Sequence, residues 1–427
     1  MSGISNTATR QPSLFPSGLD GDDALGLTFR DSKSLPVHGW YPYVEGFAAG
    51  YIEDLVRSHV GDGIVYDPFG GSGTVNLIAS QLGRESAFSE ANPFMRFVAE
   101  TKVNARATAK RDFAAFSKCV ARFRRWVMSK EFESAASRQN LDAYDAAFSG
   151  RDFFQEDDLR ELITIRDGVE FHSGGNRAFK DLLLLAVMSV TVACSNMTRR
   201  ADLRRRRPDE YLTRVVDVRK AVLAKLVDIE RDIQTDGTVH APTAFVSNDA
   251  REYVPALHNR ASLILTSPPY LNGTSYIRNT KLELWLAGFI ENERELSSLN
   301  KICMVCGISN VVKGRPPTFQ YPSVESVAGD LDRVSPDQRI PALVRGYFSD
   351  MFEIFKNCAS YLTEQGSFVL DIGDSKFYGI HVPTDELLIE VAASAGFAVK
   401  ENRILARRHS RDKSPLKQVE LTFIHAH

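Results

Sequence analysis

The chain has 427 residues, 43% of them hydrophobic and 25% charged, a composition typical of a globular protein. This length exceeds what one compact core needs, so we expect one domain with sizeable insertions, or two domains. The 52 basic and 54 acidic residues give a net charge of −2, which excludes a protein that coats nucleic acid through bulk charge alone. The five scattered cysteines favour a reducing cytoplasm over a disulfide framework.

The amino-terminal part predicts a loose arm, then a strand and a glycine-rich turn. Residues 1–30 are rich in Ser, Gly, Asp and Pro and show little periodicity. A short apolar run at 64–66 predicts the first strand, and the sequence DPFGGSGT follows at 67–74, directly before a helical run. Glycine lets the backbone approach a ligand closely, and the first N–H groups of a helix are unpaired. Glycine-rich turns without function are common at such junctions, so this turn needs support from other positions.

Two acidic positions give that support. The second predicted strand, 85–89, ends at Glu90, where a carboxylate can accept hydrogen bonds from both hydroxyls of a ribose. The third, 243–246, is followed by Asn248, Asp249 and Ala250, and Asp249 could accept the amino group of an adenine. The three positions together predict a nucleotide-like cofactor at the carboxyl ends of the strands.

The middle of the chain, residues 105–240, predicts a mainly helical insertion. Its uncharged run at 182–196 falls short of the ~20 residues that span a bilayer and predicts a buried helix. The densest basic cluster of the chain follows. It consists of Arg199, Arg200, Arg204, Arg205, Arg206 and Arg207. Such a cluster fits either a solvated face or a surface that binds anions.

The fourth predicted strand, 262–265, leads into the segment TSPPY at 266–270. Two consecutive prolines fix φ and remove backbone donors, so they hold a carbonyl group and an aromatic ring rigidly. Ligands bind outside the carboxyl ends of parallel strands, so this segment should face the same crevice as Asp67. The alternative is a plain Pro-Pro turn.

The carboxy-terminal part completes an α/β pattern. Residues 287–340 look irregular and form a second candidate insertion, whereas the apolar spacing of 342–362 predicts a helix. Further strands are predicted at 367–372, 397–405 and 419–425, the last two as an antiparallel pair. The expected fold is a doubly wound, mostly parallel seven-stranded sheet with an antiparallel last strand. The lone CxxC of Cys303 and Cys306 has no second pair at ligand spacing, so no metal site is expected.

Several segments together resemble the bacterial and archaeal DNA amino-methyltransferases, which modify cytosine N4 or adenine N6. The stretch HGWYPY at 38–43 resembles the family's cofactor-binding segment, 67–74 its cofactor loop and 266–270 its catalytic loop. The segments GSFVLDIGDSKFYG at 366–379 and ELLIEVAASAGF at 386–397 are also similar to this family. The resemblance covers residues 38–104 and 243–427 and leaves 105–240 outside.

The resemblance implies a catalytic domain, at residues 31–104 and 241–427, that uses S-adenosylmethionine. The implied cofactor-binding residues are Tyr41, Pro42, Asp67, Pro68, Phe69, Gly71, Gly73, Thr74, Glu90, Asp249 and Ala250. The implied catalytic residues are Ser267, Pro268, Pro269 and Tyr270. Residues 105–240 then become a candidate DNA-recognition region, whose six arginines would contact the phosphates of double-stranded DNA.

A serine at position 267 is the form associated with cytosine N4. The expected activity is therefore methylation of cytosine N4 in DNA, within a restriction-modification or related defence system, with a cognate restriction endonuclease as a candidate partner and no membrane involved. The Ser267 hydroxyl and the Pro268 carbonyl would accept the N–H bonds of the amine, while Tyr270 stacks on the flipped base. Adenine N6 and an RNA base amine are the alternatives. The segment before Tyr41 is too short for the appended RNA-binding domain that RNA enzymes usually carry.

Overall fold

A computed structural model describes residues 31–41, 47–59, 61–199, 203–215, 217–271, 275–311, 317–409 and 414–426. The arm predicted at residues 1–30 therefore lies outside the described residues. In chain order the strands are β1 (Ile64–Asp67), β2 (Ser86–Ser89), β3 (Met197–Arg199), β4 (Leu203–Arg205), β5 (Thr243–Ser247), β6 (Ala261–Thr266), β7 (Leu362–Gly373), β8 (Ser375–Phe377), β9 (Ile380–Val382), β10 (Phe397–His409) and β11 (Pro415–His425).

Seven of these strands form one sheet in the order β10-β11-β7-β6-β1-β2-β5. All of them run parallel except β11, which is antiparallel to both of its neighbours. The predicted seven-stranded sheet with an antiparallel last strand is therefore confirmed. The structure adds two small hairpins, β3–β4 and β8–β9, whose strands of three residues are too short to leave a period in the sequence.

Helices cover both faces of the sheet and build the insertion. They are α1 (Ala49–Ser58), α2 (Thr74–Gln81), α3 (Pro93–Glu100), α4 (Arg106–Arg111), α5 (Phe113–Val127), α6 (Lys130–Ala136), α7 (Asp142–Phe148), α8 (Glu156–His172), α9 (Arg177–Cys194), α10 (Val218–Thr235), α11 (Tyr276–Asn279), α12 (Lys281–Leu286), α13 (Glu293–Ile302), α14 (Pro322–Val334), α15 (Arg339–Tyr361) and α16 (Thr384–Ser394). The expectation that 287–340 is irregular was wrong, because α13 and α14 occupy much of it. Both are short and amphipathic, and the Gly, Pro and Ser that separate them obscured the pattern.

The sheet is buried on both faces, as its apolar strands predict. On one face, Ile52 of α1 and Ile78 of α2 pack against Val65 and Leu263 of the sheet. On the other, Phe355 of α15 packs with Phe368, and all of these side chains are buried. Each such side chain contributes roughly 1.5–3 kcal/mol through burial, so the sheet provides a rigid base for the loops at its carboxyl ends.

The helical insertion is confirmed between the parallel neighbours β2 and β5. Leu182, Leu183 and Leu185 of α9 are fully buried in it, and its core is continuous with Phe94 of α3 and Leu282 of α12. No helix in the described ranges is long and apolar enough to cross a membrane.

One side chain closes the base of the insertion. The Asn104 side chain donates from Nδ2 to the Thr243 carbonyl over 3.0 Å and accepts the Thr243 N–H at Oδ1 over 3.3 Å. Asn104 lies in a π-helical turn, Thr101–Ala105, at the point where the chain leaves α3, and Thr243 begins β5. The two ends of the insertion are thus held next to each other on the sheet.

Candidate functional site

The glycine-rich turn after β1 has the conformation that its sequence predicts. Gly71 and Gly73 have positive φ angles of 50° and 80°, which side chains rarely adopt. A Cβ on Gly73 would lie 2.7 Å from the Ala99 Cβ, and one on Gly70 would lie 2.5 Å from the Phe88 ring. The turn therefore packs directly against neighbouring elements, and Thr74 begins α2 with its first backbone N–H groups at the edge of the sheet.

Two carboxylates flank this turn at the ends of β1 and β2, and of these Asp67 is buried and Glu90 is half-buried. Asp67 accepts the N–H of Phe69 over 2.9 Å. Glu90 accepts the N–H of Gly71 over 2.7 Å and that of Asn92 over 2.8 Å. Burial raises the pKa of Asp67 to about 7 and that of Glu90 to about 7. Among the described residues no Lys, Arg or His forms an ion pair with either carboxylate, so both have capacity for a ligand.

A cavity that opens to solvent lies beside Glu90. It brings together five of the predicted cofactor residues. These are Pro68, Phe69, Glu90, Asp249 and Ala250. It also includes Asn248, which precedes Asp249 in the predicted third element. The remaining lining residues were not indicated by the sequence, and they are Ala91, Ile302, Met304 and Ile354. The combination of one acidic end and apolar walls suits a nucleoside, which presents ribose hydroxyls and a flat base.

Asp249 differs from Glu90 because an arginine neutralises it. Arg251 donates from Nε to Oδ1 of Asp249 over 2.8 Å and from Nη2 to Oδ2 over 2.7 Å. The same guanidinium reaches Asp350 over 2.9 Å and the Ile302 carbonyl over 2.8 Å. Arg251 thereby ties the loop after β5 to α13 and α15, and it positions one wall of the cavity.

The TSPPY segment continues directly from β6 and touches the cofactor turn. The Thr266 hydroxyl donates to Oδ1 of Asp67 over 2.6 Å, across the neighbouring strands β6 and β1. Of the residues that follow, Pro268 is buried, whereas Ser267 and Tyr270 are half-buried. The Tyr270 hydroxyl donates to Oδ1 of Asp371 over 3.0 Å. The two predicted loops therefore form one continuous site at the carboxyl edge of the sheet.

Comparison with known proteins finds relatives that match most of the chain. No protein-family model matches the chain. The type II methyltransferase M.AvaI of a Nostoc species is 24% identical over 419 residues, which cover 89% of this chain and 83% of that protein. The type II methyltransferase M.BsoBI of Geobacillus stearothermophilus is 22% identical, with 87% and 80% covered. The chain is a homologue of the type II methyltransferases.

Two further similarities are more limited, the first in extent and the second in TM-score. The type II methyltransferase M.MjaII of Methanocaldococcus jannaschii is 36% identical over 87 residues, which are 20% of this chain and 16% of that protein. Among solved structures, an rRNA methyltransferase, aviRa of Streptomyces viridochromogenes, covers 89% of this chain and 87% of its own at 10% identity, with a TM-score of only 0.27. Type II methyltransferases of this kind use S-adenosylmethionine, and the cavity beside Glu90 has the chemistry to hold its adenosine part.

In this type II methyltransferase homologue, Tyr41 lies in a buried polar cluster and does not line the cavity beside Glu90. Its hydroxyl donates to Oε1 of Glu283 over 2.9 Å and accepts from Nη1 of Arg199 over 2.9 Å. Arg199 also forms an ion pair of 2.6 Å with Glu283, with side chains only 9% and 1% exposed. We call Tyr41, Arg199 and Glu283 the hairpin anchor, because they fix β3. Pro42 lies outside the described residues.

The other arginines of the basic cluster are more exposed but also have partners. Arg204 pairs with Glu210 over 2.7 Å, and Arg205 pairs with Asp152 over 2.5 Å. Arg206 donates to backbone carbonyls, among them that of Ser195 over 3.1 Å. Arg207 is exposed, and Arg200 lies outside the described residues. Phosphate contact stays a prediction for the exposed members, whereas the guanidinium of Arg199 is committed to protein partners.

Proposed function

We propose that this protein transfers a methyl group from S-adenosylmethionine to an exocyclic amine of a DNA base, cytosine N4, within a restriction-modification system. The hydrogen bond from Thr266 to Asp67 carries the proposal, because it joins the cofactor turn to the TSPPY loop. A site that binds a methyl donor on one loop and a base on the other needs that adjacency. The homologues that match most of the chain are named type II methyltransferases, and this supports the reaction class.

The residues present fit the cofactor. Glu90 would accept the ribose hydroxyls, Phe69 and Ile354 would enclose the base, and the turn from Gly70 to Gly73 admits a ligand close to the backbone. Asp67 would receive an ammonium group, since it is buried without a cationic partner among the described residues. The bound sulfonium supplies an electrophilic methyl group.

The TSPPY loop would act on the base amine. The lone pair of an exocyclic amine is delocalised into its ring, so acceptors aimed at the N–H bonds make the nitrogen a better nucleophile. The Ser267 hydroxyl and the Pro268 carbonyl serve as these acceptors, and rigid polar groups of this kind are worth several kcal/mol where water is excluded. The Tyr270 ring stacks on the base, which has to leave the duplex to arrive there.

The substrate assignment has two further supports. Ser267 occupies the first position of the catalytic loop, as in the cytosine-N4 form that this loop resembles. The exposed side chains of Arg205 and Arg207 provide positive charge on the insertion for contact with DNA phosphates. Because such contacts release counterions, replacing Arg204, Arg205 and Arg206 with Ala should weaken binding to all DNA sequences and flatten its salt dependence.

Nucleoside mass spectrometry tests the proposal. The protein is expressed in a host that lacks its own DNA base amino-methylation, and the DNA is digested to nucleosides. We expect N4-methylcytosine, and we expect it to disappear in the Ser267→Ala/Tyr270→Ala double variant. Detection of N6-methyladenine would support methylation of a DNA base amine but would show that the target base is adenine and not cytosine. Methylation at a cytosine ring carbon, or in RNA alone, would overturn the assignment.

A further inference from the structure

The catalytic-loop tyrosine is held at its hydroxyl by a carboxylate that belongs to a different part of the sheet. Asp371 is in β7, near its carboxyl end, and is only 3% exposed. Its Oδ1 accepts the Tyr270 hydroxyl over 3.0 Å. Stacking needs only the face of the aromatic ring, so the chemistry of the base does not by itself require this contact.

A third residue orients the carboxylate. Nε2 of Gln418, in β11, donates to Oδ1 of Asp371 over 2.7 Å and to Oδ2 over 2.9 Å. Gln418 is opposite Gly373 in the antiparallel ladder of β11 with β7, so the amide and the carboxylate project from neighbouring strands of a rigid sheet. The carboxylate cannot turn away from Tyr270 without losing hydrogen bonds from the amide.

The neighbouring carboxylate on the same sheet shows that this arrangement is specific. Glu420 is directly opposite Asp371 in the ladder, and it is paired with Arg403 over 2.8 Å and with the hydroxyl of Tyr51. Two carboxylates side by side in a buried sheet repel each other unless each has its own donors. Arg403 and Tyr51 supply donors for Glu420, whereas Tyr270 and Gln418 donate to Asp371.

We infer that Asp371, oriented by Gln418, is a positioning residue that fixes the plane of the Tyr270 ring for stacking on the target base. This inference rests on the proposed function of the TSPPY loop. The ring of a tyrosine has two rotatable bonds, and a hydrogen bond at its far end restrains both of them. The half-buried ring also packs against the hydrophobic core, and the hydrogen bond narrows the orientations that this packing allows to those that hold the base in line with the methyl donor.

A double-mutant cycle tests the inference. The four proteins are wild type, Tyr270→Phe, Asp371→Ala and the double variant, and each is assayed for single-turnover transfer of tritiated methyl groups from S-adenosylmethionine to unmethylated plasmid DNA. A hydrogen bond to a charged group is worth enough for about a tenfold loss in each single variant. The double variant should be no slower than the slower single variant, because both changes remove the same contact. Affinity for S-adenosylmethionine should stay at the wild-type value in all four.

Two further variants protect the test against misfolding. Asp371→Asn retains an acceptor oxygen for the hydroxyl and should recover part of the rate, even if Asp371→Ala does not fold. Tyr144→Phe is the matched control, since it deletes a buried tyrosine hydroxyl that donates to the Arg151 carbonyl over 2.6 Å, away from the sheet edge. It should lower thermal stability without changing the rate of methyl transfer.

The outcomes separate the inference from the proposed function. If Tyr270→Ala transfers methyl groups as fast as wild type, the TSPPY loop is not the catalytic centre and both ideas fail. If Tyr270→Ala is slow while Tyr270→Phe and Asp371→Asn both keep the wild-type rate, the loop is catalytic and the positioning role of Asp371 is wrong. Losses that multiply in the double variant would also overturn it, since Asp371 would then act independently of the hydroxyl.

Discussion

Two regions of this molecule place carboxylates in the protein interior, and the carboxylates have different kinds of partner in each region. At the glycine-rich edge, Asp67 and Glu90 accept backbone and hydroxyl hydrogen bonds only, and burial raises the pKa of each to about 7. In the hairpin anchor, Glu283 is fully buried and forms an ion pair with Arg199.

The contrast distinguishes a ligand site from a structural one. A buried charge without a counter-charge is costly, so a fold retains it where a ligand supplies the missing donors. A buried charge with a complete set of partners holds elements together. The next experiments test this distinction by removing members of each region.

The largest effect should come from the hairpin anchor. Arg199→Met leaves the Glu283 carboxylate buried without its cation, and breaking such a pair typically costs about 3–5 kcal/mol of unfolding free energy. Urea unfolding measures the loss. Replacing both partners, as Arg199→Met/Glu283→Leu, should recover much of it, because no orphaned charge remains. The control Arg205→Ala breaks an exposed pair and should have a far smaller effect; an equal loss would contradict the structural role of Arg199.

The second experiment compares two carboxylates of the same cavity. Glu90→Ala should weaken S-adenosylmethionine binding by about a hundredfold, since it removes two charge-assisted hydrogen bonds to the ribose. Asp249→Ala should weaken it less, because Arg251 already occupies the carboxylate of Asp249. Isothermal titration gives both affinities. A larger loss for Asp249→Ala would mean that the ion pair with Arg251 opens on ligand binding.

The third experiment separates crowding from backbone strain in the cofactor turn. Gly73 and Gly379 have similar φ angles of 80° and 85°. A Cβ added at Gly73 would lie 2.7 Å from Ala99, whereas a Cβ added at Gly379 would have no neighbour within 4 Å. Replacing either glycine by Ala should lower the free energy of unfolding by about 1–2 kcal/mol, because Ala disfavours the left-handed backbone conformation. Gly73→Ala should cost roughly 1–3 kcal/mol more, through overpacking. Calorimetric melting of the two variants checks this difference, and equal melting temperatures would show that the turn relaxes freely.

The smallest effect is a dependence on pH. Because burial raises the pKa of Asp67 and Glu90 to about 7, the folded protein holds protons that the unfolded chain has already released. The contribution of these two groups to the stability of the ligand-free protein is therefore greatest at low pH. It is lost as the pH rises through 7. Ligand binding should change in the opposite sense, strengthening less than tenfold between pH 6 and pH 8 as Glu90 ionises. Titrations at both values check this, and Glu90→Gln should remove its part of the dependence.

The sequence predicted the sheet well because each of its seven strands contains a short apolar run near a turn signal. It also placed Asp67, Glu90 and Thr266 at one edge, since the carboxyl ends of parallel strands have to meet there. Ile302 and Met304 were missed because they come from a segment that has no strand or glycine pattern to mark it. Arg199 was interpreted from its neighbours in sequence, whereas its partner Glu283 is 84 positions away. A charged residue in a sequence indicates that a counter-charge is needed. It does not indicate where in the chain that counter-charge lies.

The pairing of Asn104 with Thr243 has a consequence for how such an enzyme changes over generations. Everything between these two residues leaves the sheet and returns to it at one point, so its length has little influence on the strands. Doubling the length of a closed loop costs only about 0.6 kcal/mol. The loops of this segment that lie away from the hairpin anchor can therefore lengthen or shorten while the strands keep their register.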